Sequence, residues 1–354
     1  MQFVGDVADL DHLRHAANIS ACATHAKRFS VPDNNLVQRL LDGDKRALAR
    51  VISKIEREDP ETTEIVAGIY QKTGDAMTIG FTGPPGVGKS SIIAKLVKLY
   101  RSEDKRVGIV SVDPSSPFSK GAILGDRIRL SDHFLDPGVF IRSMGSRGHL
   151  GGLAGGARRA ALAMEAAGMD VVLYETVGVG QGEVEVASAA DTVVLALQPG
   201  AGDSVQALKA GVMEIADVFC INKSDHPRSK AAASEVRSIL EIGYELDPHP
   251  WFPPIVMTRG DTGEGVEELK ETIEKHRAHL KQSGQFEKRR RSALRDLVVT
   301  WAADRLQREM RHRLGSEDTE LMERVYSREL DPISASERIF KAVGDAATRD
   351  TDFG

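Results

Sequence analysis

Cysteine is nearly absent: the 354 residues carry two, Cys22 and Cys220, far apart and in no metal-like spacing. That usage suggests neither a disulfide framework nor a zinc site, and it fits a reducing compartment. Aromatic residues make up only 5% of the chain, with two tryptophans. Long hydrophobic runs are missing too, and no stretch approaches the roughly 18 apolar residues that span a bilayer. The N-terminus carries Asp6, Asp9 and Asp11 without an apolar core segment, so it does not read as a secretory signal. A cytoplasmic protein with no membrane attachment is the resulting expectation. Nor is there a surplus of positive charge: 47 Lys and Arg stand against 52 Asp and Glu, a net charge of −5, which argues against a nucleic-acid partner.

What is present is a hydrophobic content of 41%, enough for a sizeable core, arranged in three textures. Before about Asp75, Leu36, Leu40, Leu41, Ala47, Leu48, Val51, Ile52 and Ile55 recur at helical spacing. From Met77 the pattern changes to short apolar runs separated by helical stretches. These are Met77 to Thr82, Val107 to Val112, Val139 to Arg142, Val171 to Tyr174, Thr192 to Leu197, Val218 to Asn222 and Pro254 to Met257. Runs of that length, rich in Val and Ile, predict strands buried on both faces of a mainly parallel sheet. After Val266 helical spacing returns, and Leu294, Leu297, Val298, Trp301, Leu306, Met310 and Leu314 form an apolar stripe that needs a partner surface, either its own core or another subunit. The expected organisation is a helical region over 1–75, a three-layer α/β core over 76–280 and a helical extension over 281–354.

The chemistry is concentrated in loops at strand ends. Gly83-Pro84-Pro85-Gly86-Val87-Gly88-Lys89-Ser90 fits the P-loop pattern, between an apolar strand and a helix beginning Ser91-Ile92-Ile93. Its glycines let successive N–H groups turn inward around phosphates, and the helix N-terminus adds its positive dipole end. Lys89 would bridge the β- and γ-phosphates, and Ser90 would ligate Mg²⁺. Asn222-Lys223-Ser224-Asp225 follows another apolar run. A carboxylate at Asp225 can accept hydrogen bonds from the N1–H and exocyclic amine of guanine, a pair that adenine does not offer. Asn222 would brace the loops and Lys223 would lie over the ring. GTP, not ATP, is therefore the expected nucleotide.

Glu175 comes directly after the run Val171 to Tyr174, where P-loop proteins place an acid near Mg²⁺, and Gly178 follows where a backbone N–H can sense the γ-phosphate. Val179 stands where many GTPases place the glutamine that orients the attacking water, so unaided hydrolysis is expected to be slow, with Gln181 a possible substitute. Asp113 ends another strand and opens a polar loop; it and Asp126 are further candidate Mg²⁺ ligands. The basic run Lys288 to Arg291 reads as a solvated helix face.

Taken together these loops resemble the MeaB/ArgK family of GTPases, chaperones of adenosylcobalamin-dependent acyl-CoA mutases. The resemblance covers about Leu36 to Leu280 and rests on the P-loop, Asp113-Pro114-Ser115-Ser116, Ile123 to Arg127, Leu150-Gly151-Gly152, Glu175 to Gln181 and Pro199-Gly200-Ala201-Gly202-Asp203. It implies a first switch after Asp113, a second over Glu175 to Glu185 and a third over Gln198 to Gly211, where Gln206 and Lys209 become candidate catalytic groups. It also implies a base-contacting loop at Arg259 and Gly260, and pairing of two copies through a C-terminal helical arm. Thr258-Arg259-Gly260 and Arg147-Gly148-His149 depart from the family's usual wording. A nickel-insertion GTPase, a transport-associated phosphotransferase and a nucleotide-binding adaptor without turnover remain as alternatives. The first of these usually carries His-rich or Cys-His segments, which this chain lacks.

Overall fold

A computed structural model of the chain describes residues 34–57, 59–113, 133–145, 152–176, 189–200, 213–246, 250–316 and 319–350. Among the described residues three helices come first: α1 (Asn34–Leu41), α2 (Lys45–Arg57) and α3 (Thr62–Tyr70). Asp44 starts the second by accepting from the N–H groups of Arg46 and Ala47 at 2.7 and 3.3 Å, an N-cap that satisfies otherwise orphaned donors. Strand β1 (Met77–Thr82) then leads into α4 (Lys89–Ser102), followed by β2 (Val107–Asp113), β3 (Val139–Gly145), α5 (Gly152–Ala166) and β4 (Val171–Thr176). The order continues β5 (Thr192–Leu197), β6 (Val218–Ile221), α6 (Ser229–Leu246), β7 (Ile255–Met257) and α7 (Val266–Gln282). The chain closes with the 32-residue α8 (Gln285–Ser316), α9 (Thr319–Tyr326) and α10 (Pro332–Asp350).

Among the described residues the seven strands form one sheet in the order β3-β2-β4-β1-β5-β6-β7, and each neighbouring pair is parallel. The sheet is thus wholly parallel, where the sequence predicts a mainly parallel one. Strand residues alternate between two cores, because successive side chains leave a strand on opposite faces. Val110, Val112, Val172 and Tyr174 pack with α5 and with Leu40, Leu48, Ile52, Ile55 and Ile69 of the N-terminal helices. Ile79, Phe81, Ile109 and Leu173 pack on the other face with Ile92, Ile93 and Leu96 of α4 and Leu269 and Ile273 of α7. The N-terminal helices therefore share the core of the sheet.

The extension has a small core of its own, in which Leu321, Ala335, Ile339 and Val343 enclose Met310 of α8. The base of α8 is held by charge. Arg289 makes a two-pronged pair with Asp217 at 2.9 and 2.8 Å, and Arg290 does the same with Asp191 at 3.0 and 2.8 Å. Both carboxylates are buried, just before β6 and β5. This corrects the reading of Lys288 to Arg291 as a solvated face: two of its four residues are anchors, because buried carboxylates at the sheet's lower rim require partners. The apolar stripe of α8 is divided. Leu297 is buried and Trp301 packs against the sheet's core, whereas Leu294 and Val298 are exposed. Leu314's side chain lies outside the described residues. No helix among the described residues is long and apolar enough to cross a membrane.

Candidate nucleotide-binding site

The loop between β1 and α4 takes its shape from glycines that nothing else could replace. Gly83 has φ of 136°, and a Cβ there would lie 2.1 Å from the carbonyl oxygen of Ala196 on β5. Gly88 has φ of 98°, and a Cβ there would lie 2.4 Å from Nδ2 of Asn222. Only glycine combines that backbone conformation with such close approach. Gly86, with φ of 77°, has open space where its side chain would be, at the exposed turn after Pro84 and Pro85. Val87 is fully buried and fastens the loop to the core of α4.

Lys89 is the first residue of α4, so the helix begins two residues before the predicted Ser91. Its ammonium folds back over the loop and donates to the carbonyls of Gly83 and Pro84 at 2.6 and 3.1 Å. Ser90, the next residue, donates from Oγ to Oε1 of Glu175. The second carboxylate oxygen of Glu175 accepts from Oγ of Ser111 at 3.3 Å. Register explains the meeting: β4 lies between β1 and β2, and Glu175 pairs with Phe81 on one side and Ser111 on the other. Glu175 and Thr176 lie inside β4, which runs further than the apolar stretch ending at Tyr174 suggests. Thr176 continues the strand while its hydroxyl donates to the carbonyl of Phe81 at 3.1 Å. Asp113 is the last residue of β2, opposite Gly145; its side chain lies outside the described residues.

The loop after β6 is tied directly to the P-loop. Asn222 is buried, its Nδ2 donates to the carbonyl of Val87 at 2.7 Å, and its Oδ1 accepts from the N–H of Gly260 at 2.9 Å and from Thr258 Oγ1 at 3.2 Å. One side chain thus fastens three loops. Lys223 adopts φ of 56° and reaches back to the carbonyl of Gly86 at 3.2 Å and to Oε1 of Gln198. Asp225 extends into solvent, its side chain 59% exposed, with Nε of Arg259 3.5 Å away. Ser91 is exposed beside Gly260, whose missing Cβ leaves room for it: a Cβ at Gly260 would lie 3.1 Å from Ser91 Cβ.

The remaining sequence candidates Gly178, Gln181, Gln206, Lys209 and Asp126 lie outside the described residues, as do Val179, Arg147 and His149. Sequence reasoning passed over Ser111, and it named Thr258 only as a departure from the family's wording. A hydroxyl in an otherwise apolar buried strand is the signal for Ser111, but only the register of β2 against β4 reveals its partner.

The family model described as methylmalonyl Co-A mutase-associated GTPase MeaB matches residues 47–314. The chain belongs to the MeaB family. It is 44% identical over 313 residues to a protein of Pyrococcus horikoshii named as a GTPase, covering 88% of this chain and 98% of that one. It is 30% identical over 344 residues to the mouse methylmalonic aciduria type A homolog, mitochondrial, covering 90% and 82%. The crystal structure of a LAO/AO transport system kinase superposes with a TM-score of 0.59 at 26% identity, covering 88% of this chain and 97% of that one.

In this MeaB-family chain the oxygen donors suit a hard cation. Ser90 and Glu175 converge at the start of α4, and among the described residues no group of three or more His, Cys, Asp or Glu could by itself hold a metal. A hydroxyl and a carboxylate fit Mg²⁺, which keeps several waters and takes one or two protein oxygens beside substrate phosphates.

Proposed function

We propose that this protein hydrolyses GTP with Mg²⁺ as a timer, slowly by itself and faster with a partner, and that the partner is an adenosylcobalamin-dependent acyl-CoA mutase whose cofactor loading it gates and protects. The observation that carries the nucleotide part is the side chain of Asn222, which locks the guanine-type loop onto the P-loop at a fixed distance. Family membership supports the mutase part.

Each side chain then has a task. The N–H groups of the Gly83 to Ser90 loop and the N-terminal end of α4 surround the phosphates. Lys89, which donates to the carbonyls of Gly83 and Pro84, would donate to phosphate oxygens, and Ser90 and Glu175 would hold the cation. Mg²⁺ would supply neutralisation of the phosphate charge. Asp225 accepts the two guanine N–H donors, which selects GTP over ATP and disfavours an ATP-using kinase. With Val179 in the water-orienting position, unaided turnover falls at about 10⁻⁴ to 10⁻² s⁻¹. The segment from Gln198 to Gly211 delivers Gln206 and Lys209 when the mutase docks. Two copies pair through the C-terminal helical arm along the stripe from Leu294 to Leu314, of which Leu294 and Val298 are exposed apolar residues.

Single-turnover GTP hydrolysis measured with and without the mutase tests the reading. Stimulation by the mutase is expected in the parent and lost in Lys209→Ala, with GTP affinity retained. Equal rates with and without mutase would remove the gating role, and hydrolysis of ATP as fast as GTP would remove the base assignment.

A further inference from the structure

The guanidinium of Arg259 sits among three carboxylates. Its Nη2 donates to Asp261 at 3.2 Å, its Nη1 lies 3.8 Å from Glu264, and its Nε lies 3.5 Å from Oδ1 of Asp225. The Nε donor is buried and makes no hydrogen bond. An unsatisfied buried donor costs on the order of 1–3 kcal/mol, so a small approach by the carboxylate is favourable. The carboxylate 3.5 Å from this Nε, Asp225, is the one that would read the base. The backbone makes this arrangement rigid: the N–H of Ser224 donates to the carbonyl of Thr258 at 3.0 Å, and Arg259 exchanges backbone bonds with Glu264 and Gly263 at 2.9 and 2.7 Å. Arg259 is thus carried on a tight loop, whereas Asp225 projects from its own loop largely into water.

We infer that Arg259 is a positioning residue for guanine selectivity, holding Asp225 in the rotamer that accepts N1–H and the 2-amino group together. This rests on the assignment of Asp225 as the base reader. A bidentate contact requires both carboxylate oxygens in the plane of the base, and a freely rotating exposed carboxylate would lose side-chain entropy on each binding event. Arg259 removes that loss beforehand. It also offsets Asp261 and Glu264, whose charges would otherwise repel a carboxylate at this rim.

The test compares GTP with inosine triphosphate, which lacks the 2-amino group and so needs one carboxylate oxygen, by competition against a fluorescent GDP on the full chain. Arg259→Ala is expected to weaken GTP about tenfold and inosine triphosphate much less, so that the preference between them narrows. Arg259→Lys, which keeps the charge but not the Nε donor, should recover only part of the preference. In an Asp225→Asn background Arg259→Ala should have no further effect on that preference. Equal losses for both nucleotides, or an undiminished preference in Arg259→Ala, would overturn the inference. A parent protein that shows no preference between GTP and inosine triphosphate would instead overturn the reading of Asp225 itself, and this inference with it.

Discussion

At the scale of single residues, the two ends of the P-loop illustrate different physical demands. Gly83 is fixed by sterics, because a Cβ there would lie 2.1 Å from the carbonyl oxygen of Ala196. Gly83→Ala is expected to abolish nucleotide binding and to lower the melting temperature of the nucleotide-free protein. Lys89 is fixed by charge. Its two carbonyl partners are replaceable by water, so Lys89→Ala should leave the melting temperature within a few degrees of the parent while hydrolysis falls by about 10²-fold or more. Circular dichroism melting and a phosphate-release assay separate the two behaviours. Asp225 is largely exposed, with the Arg259 guanidinium beside it. Losing its charge-assisted pair to guanine should cost about 2–4 kcal/mol in GTP binding, and Asp225→Asn should turn the preference toward xanthosine triphosphate. Competition binding with the two nucleotides reads that reversal.

At the scale of elements, β4 and α8 carry the arrangement. Strand β4 lies at the middle of the nucleotide end, and a slip of one residue would turn Glu175 from Ser90 and Ser111 to the opposite face. Helix α8 is attached at its base by Arg289 and Arg290 and higher up by the buried pair of Arg159 with Asp304, beside Trp301, whose ring centre lies 5.5 Å from the Arg159 guanidinium. Arg290→Ala leaves Asp191 buried with its cationic partner gone, and breaking a buried pair in that way costs about 3–5 kcal/mol. Chemical denaturation should show that loss, and Arg290→Lys should recover only part of it because a point charge cannot reproduce the two-pronged contact. This anchoring was not legible in the sequence. Four consecutive basic residues look the same whether they face water or two buried carboxylates far off in the chain, and only the packing of α8 against the lower rim of the sheet distinguishes the cases.

At the scale of the whole molecule, the lower rim also carries a pH dependence. His276 is fully buried, its Nδ1 sharing a hydrogen bond with Thr192 Oγ1 at 2.9 Å and its Nε2 3.3 Å from Asp217. Burial pushes its pKa down to about 4, overcoming the attraction of Asp217. The folded value lies below the unfolded value of about 6.5, so this contribution is fully present above pH 6.5 and is lost as the pH falls toward 4. Denaturation at pH 7 and pH 5 should differ by about 2 kcal/mol from this group, and His276→Gln should flatten the slope across that window. Light scattering at micromolar concentration is expected to give the mass of a dimer, and Leu294→Asp with Val298→Asp that of a monomer. The sequence by itself determined the parallel α/β class, the P-loop and the guanine-type loop, because buried strands and phosphate loops impose local rules on residue type and spacing that can be read one segment at a time. The tertiary structure decided which acid meets Ser90, which loops Asn222 joins, where the basic run of α8 is bound and which half of its apolar stripe is left to solvent. Those depend on strand order and register across separations of 38 to 135 residues, which no local pattern encodes.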